Sequence, residues 1–185
     1  MTPPYGYRDK IVLITGASGG LGSSLARLLT DEGARLVLSA RSEAALEELR
    51  SSLSNPDAAR ILTADLALPG EAARLASESA SLFGGIDVVF NNAGLGYFAT
   101  MEEADEERLR YLFEVNLFAP LAIARGLVPG MRERGGGRIV NIVSFAGRVP
   151  IVTSGAYGGS KSALAIMMNT MRLELAGSGV DVLNI

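Results

Sequence analysis

IVLITGASGGLGSSLARLLTDEG, residues 11–33, decides the fold. Its first five residues, IVLIT (11–15), are apolar on both faces, as expected of a parallel strand covered by helices above and below. A helical stretch over 21–32 follows and stops at Gly33, where a helix C-terminus favours glycine. The turn between them, TGASGGLG, is rich in glycine, so the backbone can approach a pyrophosphate. Free N–H groups and the dipole at the helix start favour the negative charge. A glycine-rich turn alone is a weak signal, but placement directly after a buried strand and at the opening of a helix is the context a dinucleotide needs. Thr15, Gly16, Ser18, Gly19, Gly20, Leu21 and Gly22 are therefore candidate phosphate contacts, with the Ser18 hydroxyl adding to the backbone groups.

The pattern repeats outward from this unit. Further apolar runs stand at 35–40, 60–64, 86–91, 138–144 and 180–185, and helical stretches at 42–52, 71–82, 103–134 and 156–176 lie between them. Glycines 135–137 separate the longest helix from the fifth strand, and there is neither an interdomain linker nor an internal repeat. Such alternation predicts a single α/β domain over 1–185, a doubly wound parallel sheet of six strands in a Rossmann-like three-layer arrangement. Ligands bind at the carboxyl ends of the strands in such sheets.

Composition narrows the chemistry. The chain has 185 residues, 48% of them hydrophobic, enough for one substantial core. A net charge of −3 gives no electrostatic reason to bind nucleic acid or anionic lipid. With no cysteine and no histidine, disulfides, a thiolate nucleophile, a Ser-His-Asp triad and most zinc sites are excluded. Acid–base work falls to Tyr, Lys, Asp or Glu, and no metal site is expected. The opening residues carry no signal-type apolar stretch, and no later segment has 18 uninterrupted apolar residues, so a soluble cytoplasmic protein is the default expectation.

The end of the second strand normally reads the adenosine ribose through an acidic residue. Here Ala40 is followed by Arg41, whose guanidinium forks onto a phosphate and so favours NADP(H) over NAD(H). Asp65 with Leu66 follows the third strand, where a carboxylate can accept from the adenine amino group; a helix N-cap is the competing reading.

Tyr157 and Lys161 stand one helical turn apart in GAYGGSKSAL. That spacing puts both side chains on one face, with Cβ atoms roughly 5–6 Å apart. A phenol with a pKa of about 10 is a poor acid or base at neutral pH. A cation about 4 Å away, at an effective dielectric near 20, is worth roughly 4 kcal/mol and brings a phenol into the working range.

With TGASGGLG, NNAG at 91–94, Asn116 in VNLFAP, Ser144 in IVNIVSFAG, and the Tyr157 and Lys161 pair, the chain resembles the short-chain dehydrogenases/reductases. The resemblance covers essentially everything from Lys10 onward and points to the family's compact dehydrogenase branch. It implies that Tyr157 is the general acid in reduction and the base in oxidation. Lys161 would lower the tyrosine's pKa and hold the nicotinamide ribose, so that both residues count among the cofactor contacts. Ser144 would hydrogen-bond the substrate oxygen. Asn116 would kink the long helix and hold a water that links Lys161 to solvent. Asn91, Asn92, Ala93 and Gly94 would line the cofactor.

The resemblance also implies a Pro-Gly loop, substrate-covering helices and a further strand beyond the sixth, so the chain is expected to be a fragment, with 180–185 as an unprotected apolar edge strand. The remaining substrate walls would come from 95–98, Phe145 and 149–154, and would suit aliphatic, steroid-like, sugar or acyl-chain carbonyls. The expected activity is hydride transfer between NADP(H) and a carbonyl or secondary alcohol. A non-catalytic NADP(H) sensor or scaffold and an epimerase or dehydratase of the same fold are the alternatives. Helices apolar on more than one face, together with the resemblance, suggest a homodimer or homotetramer.

Overall fold

The computed structural model describes residues 6–185; residues 1–5 of the expected domain lie outside it. The six apolar runs form β1 (Ile11–Thr15), β2 (Arg35–Ala40), β3 (Ala59–Thr63), β4 (Val88–Asn91), β5 (Gly137–Asn141) and β6 (Val180–Asn184). Every neighbouring pair is parallel and the order is β3-β2-β1-β4-β5-β6. Strand order reverses between β1 and β4, which opens a crevice at their carboxyl ends.

Successive residues of each strand face opposite layers, so one sheet supports two cores. Val12, Ile14, Leu36 and Leu38 pack with Ala26 and Leu29 of α1 (Gly20–Asp31) and with Leu46 and Leu49 of α2 (Glu43–Ser51). Leu13, Val37, Val89 and Ile139 meet α3 (Glu71–Leu82), α5 (Ala119–Glu133) and α6 (Gly155–Glu174) on the other face, through Leu75, Ile123, Leu127 and Met168. Each fully buried side chain of this size contributes about 1.5–3 kcal/mol of transfer free energy.

The long helix expected over 103–134 runs Glu106–Glu133 but is not α-helical throughout. Asp105 caps α4 (Glu106–Phe113) by accepting from the Arg108 N–H at 2.9 Å, so the helix begins later. A π-helical turn, Glu114–Phe118, then separates α4 from α5. The π turn accords with Pro120, which has no N–H to give to the carbonyl four residues earlier, that of Asn116. The rod Glu106–Glu133 is long and apolar enough to cross a membrane, yet 56% of its apolar span is buried inside the protein, as in a core helix.

The fifth strand also ends sooner than expected, at Asn141 rather than 144. Ile142 N–H still bonds to the Asn91 carbonyl at 3.1 Å, but the Ile142 carbonyl turns to Lys161. At the same level Asn91, Asn141 and Asn184 stand in register, Asn91 Nδ2 donating to Asn141 Oδ1 at 2.8 Å and Asn141 Nδ2 to Asn184 Oδ1 at 3.0 Å. This row fixes the three strands at the edge of the crevice. β6 is an edge strand, as expected, but it alternates: Val180 and Val182 face the core, while Asp181 pairs with Arg138 at 2.9 Å on the outer side.

Candidate active site

The crevice at the carboxyl edge is a cavity of about 730 Å³. Gly16, Ser18, Gly19, Gly20, Leu21, Gly22, Arg41, Asp65, Leu66, Asn92, Ala93 and Gly94, all expected from the sequence, line it. The glycine turn can be no other residue at two positions. Gly16 has φ +63° and a Cβ there would lie 2.8 Å from Ala93 Cα; a Cβ on Gly22 would collide with the Gly16 carbonyl. The start of α1 also differs from its neighbours. α2 and α4 are capped by Ser42 and Asp105 and carry acidic residues in the first turn, whereas α1 has neither. The start of α1 thus lines the crevice with no side-chain cap and no carboxylate of its own. An uncapped, acid-free helix start beneath a cradle that any side chain would fill fits the pyrophosphate of a dinucleotide.

Two expected contacts lie behind the wall instead. Thr15 is buried, and its hydroxyl donates to the Phe90 carbonyl at 3.3 Å while accepting from the Asn92 and Ala93 N–H groups at 3.1 and 3.0 Å. Asn91 is spent on the asparagine row. Thr15 thereby locks the segment after β4 against the glycine turn, and Asn92 Nδ2 completes the lock by donating to the Thr15 and Gly16 carbonyls at 2.9 and 3.1 Å.

Arg41 is exposed at the mouth after β2, and among the described residues it makes no ion pair or side-chain hydrogen bond. Asp65 is not a helix cap: α3 begins after Gly70, and Asp65 Oδ1 closes a local turn by accepting from the Ala67 N–H at 3.1 Å. Tyr111 and Val115 complete the lining from α4 and the π turn. They belong to no motif; their one sequence signal is the (i, i+4) spacing just before Asn116.

Of the remaining candidates, Asn116 and Lys161 meet beside Gly94, whereas Ser144 lines a neighbouring cavity with Lys161. Asn116 is fully buried, its Oδ1 accepting from the Leu95 N–H at 2.8 Å and its Nδ2 donating to the Leu95 carbonyl at 2.9 Å and to Ser160 Oγ at 3.0 Å. Ser160, not singled out from the sequence, in turn donates to the Tyr157 carbonyl at 2.8 Å. Lys161 is 4% exposed and donates to the Ile142 carbonyl at 2.8 Å. Burial pushes its ammonium down to about 8, so it is still mostly protonated at neutral pH.

Ser144 begins a 3₁₀ turn, Phe145–Gly147, with its hydroxyl accepting from the Ala146 N–H at 3.2 Å. That turn lies on α6 at backbone distance: a Cβ on Gly147 would stand 2.9 Å from Ser162 N, and one on Gly158 would meet the Ala146 carbonyl. The Phe98 ring leans on the half-buried Tyr157 ring, with centroids 6.2 Å apart. The expected outer walls are open: Phe98, Phe145, Ile151 and Val152 are all exposed.

A Rossmann-like parallel sheet with a glycine turn after β1, and with Lys161 and Asn116 meeting at Gly94 beyond β4, defines a class of nucleotide-binding α/β folds. The chain belongs to the short-chain dehydrogenase family, whose model matches residues 10–185. It is 37% identical over 180 residues to dehydrogenase/reductase SDR family member 7B of Mus musculus, covering 95% of this chain and 56% of that protein, so it spans little more than half the relative's length. A metagenomic short-chain oxidoreductase solved in complex with NADP is 32% identical, with a TM-score of 0.90 over 97% of this chain and 82% of the other. L-Sorbose reductase from Gluconobacter frateurii, solved with NADPH and L-sorbose, is 36% identical, with a TM-score of 0.88 over 95% of this chain and 67% of that one.

Proposed function

We propose that this chain is the nucleotide-binding and catalytic part of an NADP(H)-dependent oxidoreductase that interconverts a carbonyl and a secondary alcohol. The observation that carries this is the junction at Gly94, which lines the cofactor cleft and where a Cβ would lie 3.3 Å from Lys161 Nζ and 3.5 Å from Asn116 Oδ1. The end of the cleft thus shares one wall with Lys161 and Asn116, which supports the reading. Arg41, which follows Ala40 where an acidic residue would repel a 2′-phosphate, supports NADP(H), as do two solved relatives described with NADP and NADPH.

When bound, the cofactor supplies or accepts the hydride. Tyr157 gives a proton to the substrate oxygen in reduction and takes it back in oxidation. Ser144 offers a neutral donor where charge develops on that oxygen. Lys161, anchored on Ile142, places a cation one turn from the tyrosine and reaches the nicotinamide ribose. Asn116 ties α6 to the segment after β4, and its carbonyl, which Pro120 cannot cap, is the acceptor for a relay water. Exposed Ile166, Met167 and Leu173 on α6 support self-association.

Titrations with NADPH and NADH, followed by nicotinamide absorbance with a panel of ketones, test the reading. NADPH should bind more tightly than NADH, and Tyr157→Phe should keep cofactor binding while losing at least about 100-fold in turnover. Equal binding of NADH sinks the NADP preference. Cofactor binding with no ketone-dependent change in absorbance leaves a binder, or an epimerase without net cofactor turnover.

A further inference from the structure

We propose that Tyr111 walls the adenine end of the cleft and stacks on the base of the dinucleotide, an inference that rests on the cofactor reading above. The strand order sets out the carboxyl ends in the sequence β3, β2, β1, β4, so Asp65 and Arg41 lie at one end of the cleft and Gly94 at the other. With the pyrophosphate on the glycine turn between them, the half of the ligand that reaches Lys161 is the nicotinamide, and the adenosine takes the Asp65 end. Leu66, just beyond β3, lines the same cleft as Val115 of the π turn, so the β3 end and the start of the long helix contribute walls to one cavity.

Val115 and Tyr111 both line the cleft, one helical turn apart, while Leu112 between them points into the core at 1% exposure. Tyr111 is the one aromatic side chain among the residues lining the cleft, and the others at this end are small or aliphatic apart from Arg41 and Asp65. The residue is 42% exposed, and among the described residues its hydroxyl has no hydrogen-bond partner. Phe113, two residues on, is packed against the core instead. A flat ring that is half covered at the mouth of a nucleotide cleft and has no polar tie of its own offers a stacking face that every base can use.

The test uses calorimetric titration of the chain and its variants with NADPH, with adenosine 2′,5′-bisphosphate as the adenine half alone, and with reduced nicotinamide mononucleotide as the other half. Tyr111→Ala should weaken NADPH and adenosine bisphosphate by about ten-fold, or about 1.4 kcal/mol, and leave the nicotinamide mononucleotide unchanged. Tyr111→Phe keeps the ring and should bind all three like the parent. The thermal midpoint should not move, because the residue is half exposed. Parent-like binding of adenosine bisphosphate by Tyr111→Ala overturns the proposal, as does an equal loss of both halves. If the parent chain binds neither NADPH nor adenosine bisphosphate, the cofactor reading itself has failed and the proposal falls with it, a result distinct from binding that is indifferent to Tyr111.

Discussion

Replacing Lys161 with methionine removes a buried cation while keeping an unbranched chain of similar length. Burial lowers the lysine from its ordinary 10.5 to about 8. Below pH 8 both folded and unfolded chains carry the proton, and the folded state bears the whole cost of burying it. Above 10.5 neither carries it. Between these values the unfolded chain binds a proton that the folded chain does not, so stability rises with pH. At 1.36 kcal/mol per unit, the wild type should gain about 2 to 3 kcal/mol over Lys161→Met as the pH goes from 7 to 10. The Ile142 carbonyl left without its donor in the variant costs about 1–3 kcal/mol, but equally at every pH, so it offsets the comparison without changing its slope. Urea unfolding of both proteins, followed by far-UV circular dichroism across that range, reads the difference, and titrations common to both cancel. A gap that does not change with pH would show that water reaches the ammonium in the folded state. A gap that changes with the opposite sign would mean that an anionic partner, rather than burial, sets its ionisation.

Thr15→Val keeps shape but strands the Asn92 and Ala93 N–H groups, and should cost about 1–3 kcal/mol for each that finds no other partner; urea unfolding checks it, and a loss below about 0.5 kcal/mol would mean that both do. Gly22→Ala should abolish measurable NADPH binding, because its Cβ meets the Gly16 carbonyl, a backbone atom that cannot swing aside; nucleotide titration decides, and unaltered affinity would show that the turn shifts without cost.

The alternation of strands and helices was legible because strands covered on both faces must be apolar throughout: Val12, Leu13 and Ile14 are all fully buried. The cofactor turn was legible for a related reason, since close backbone approach admits only glycine at Gly16 and Gly22. The rest depended on direction, which one-dimensional spacing does not carry. Thr15 and Asn91 sit where a contact was expected, yet register against β4 and β5 turns their side chains into the protein. The π turn at Glu114–Phe118 accords with Pro120, which has no N–H for the Asn116 carbonyl four residues earlier. Ser160 and Tyr111 carry no motif at all: one is read from its bonds to Asn116 and Tyr157, the other from the face of α4 that it shares with Val115.

The polar side chains around the site are held mainly by main chain. Thr15 bonds to Phe90, Asn92 and Ala93, Asn116 to Leu95, Ser144 to Ala146, Ser160 to Tyr157 and Lys161 to Ile142, in each case through a backbone group. Backbone at the carboxyl end of a parallel strand has groups that the ladder no longer satisfies, and a buried group left unpaired costs more than a made bond contributes. The Leu95 and Ile142 groups just beyond β4 and β5 find partners in Asn116 and Lys161, which come from the π turn and from α6. The same logic requires glycine at position 94, because the two clusters anchored on β4 and on α6 approach within 3.5 Å of the space a side chain would occupy.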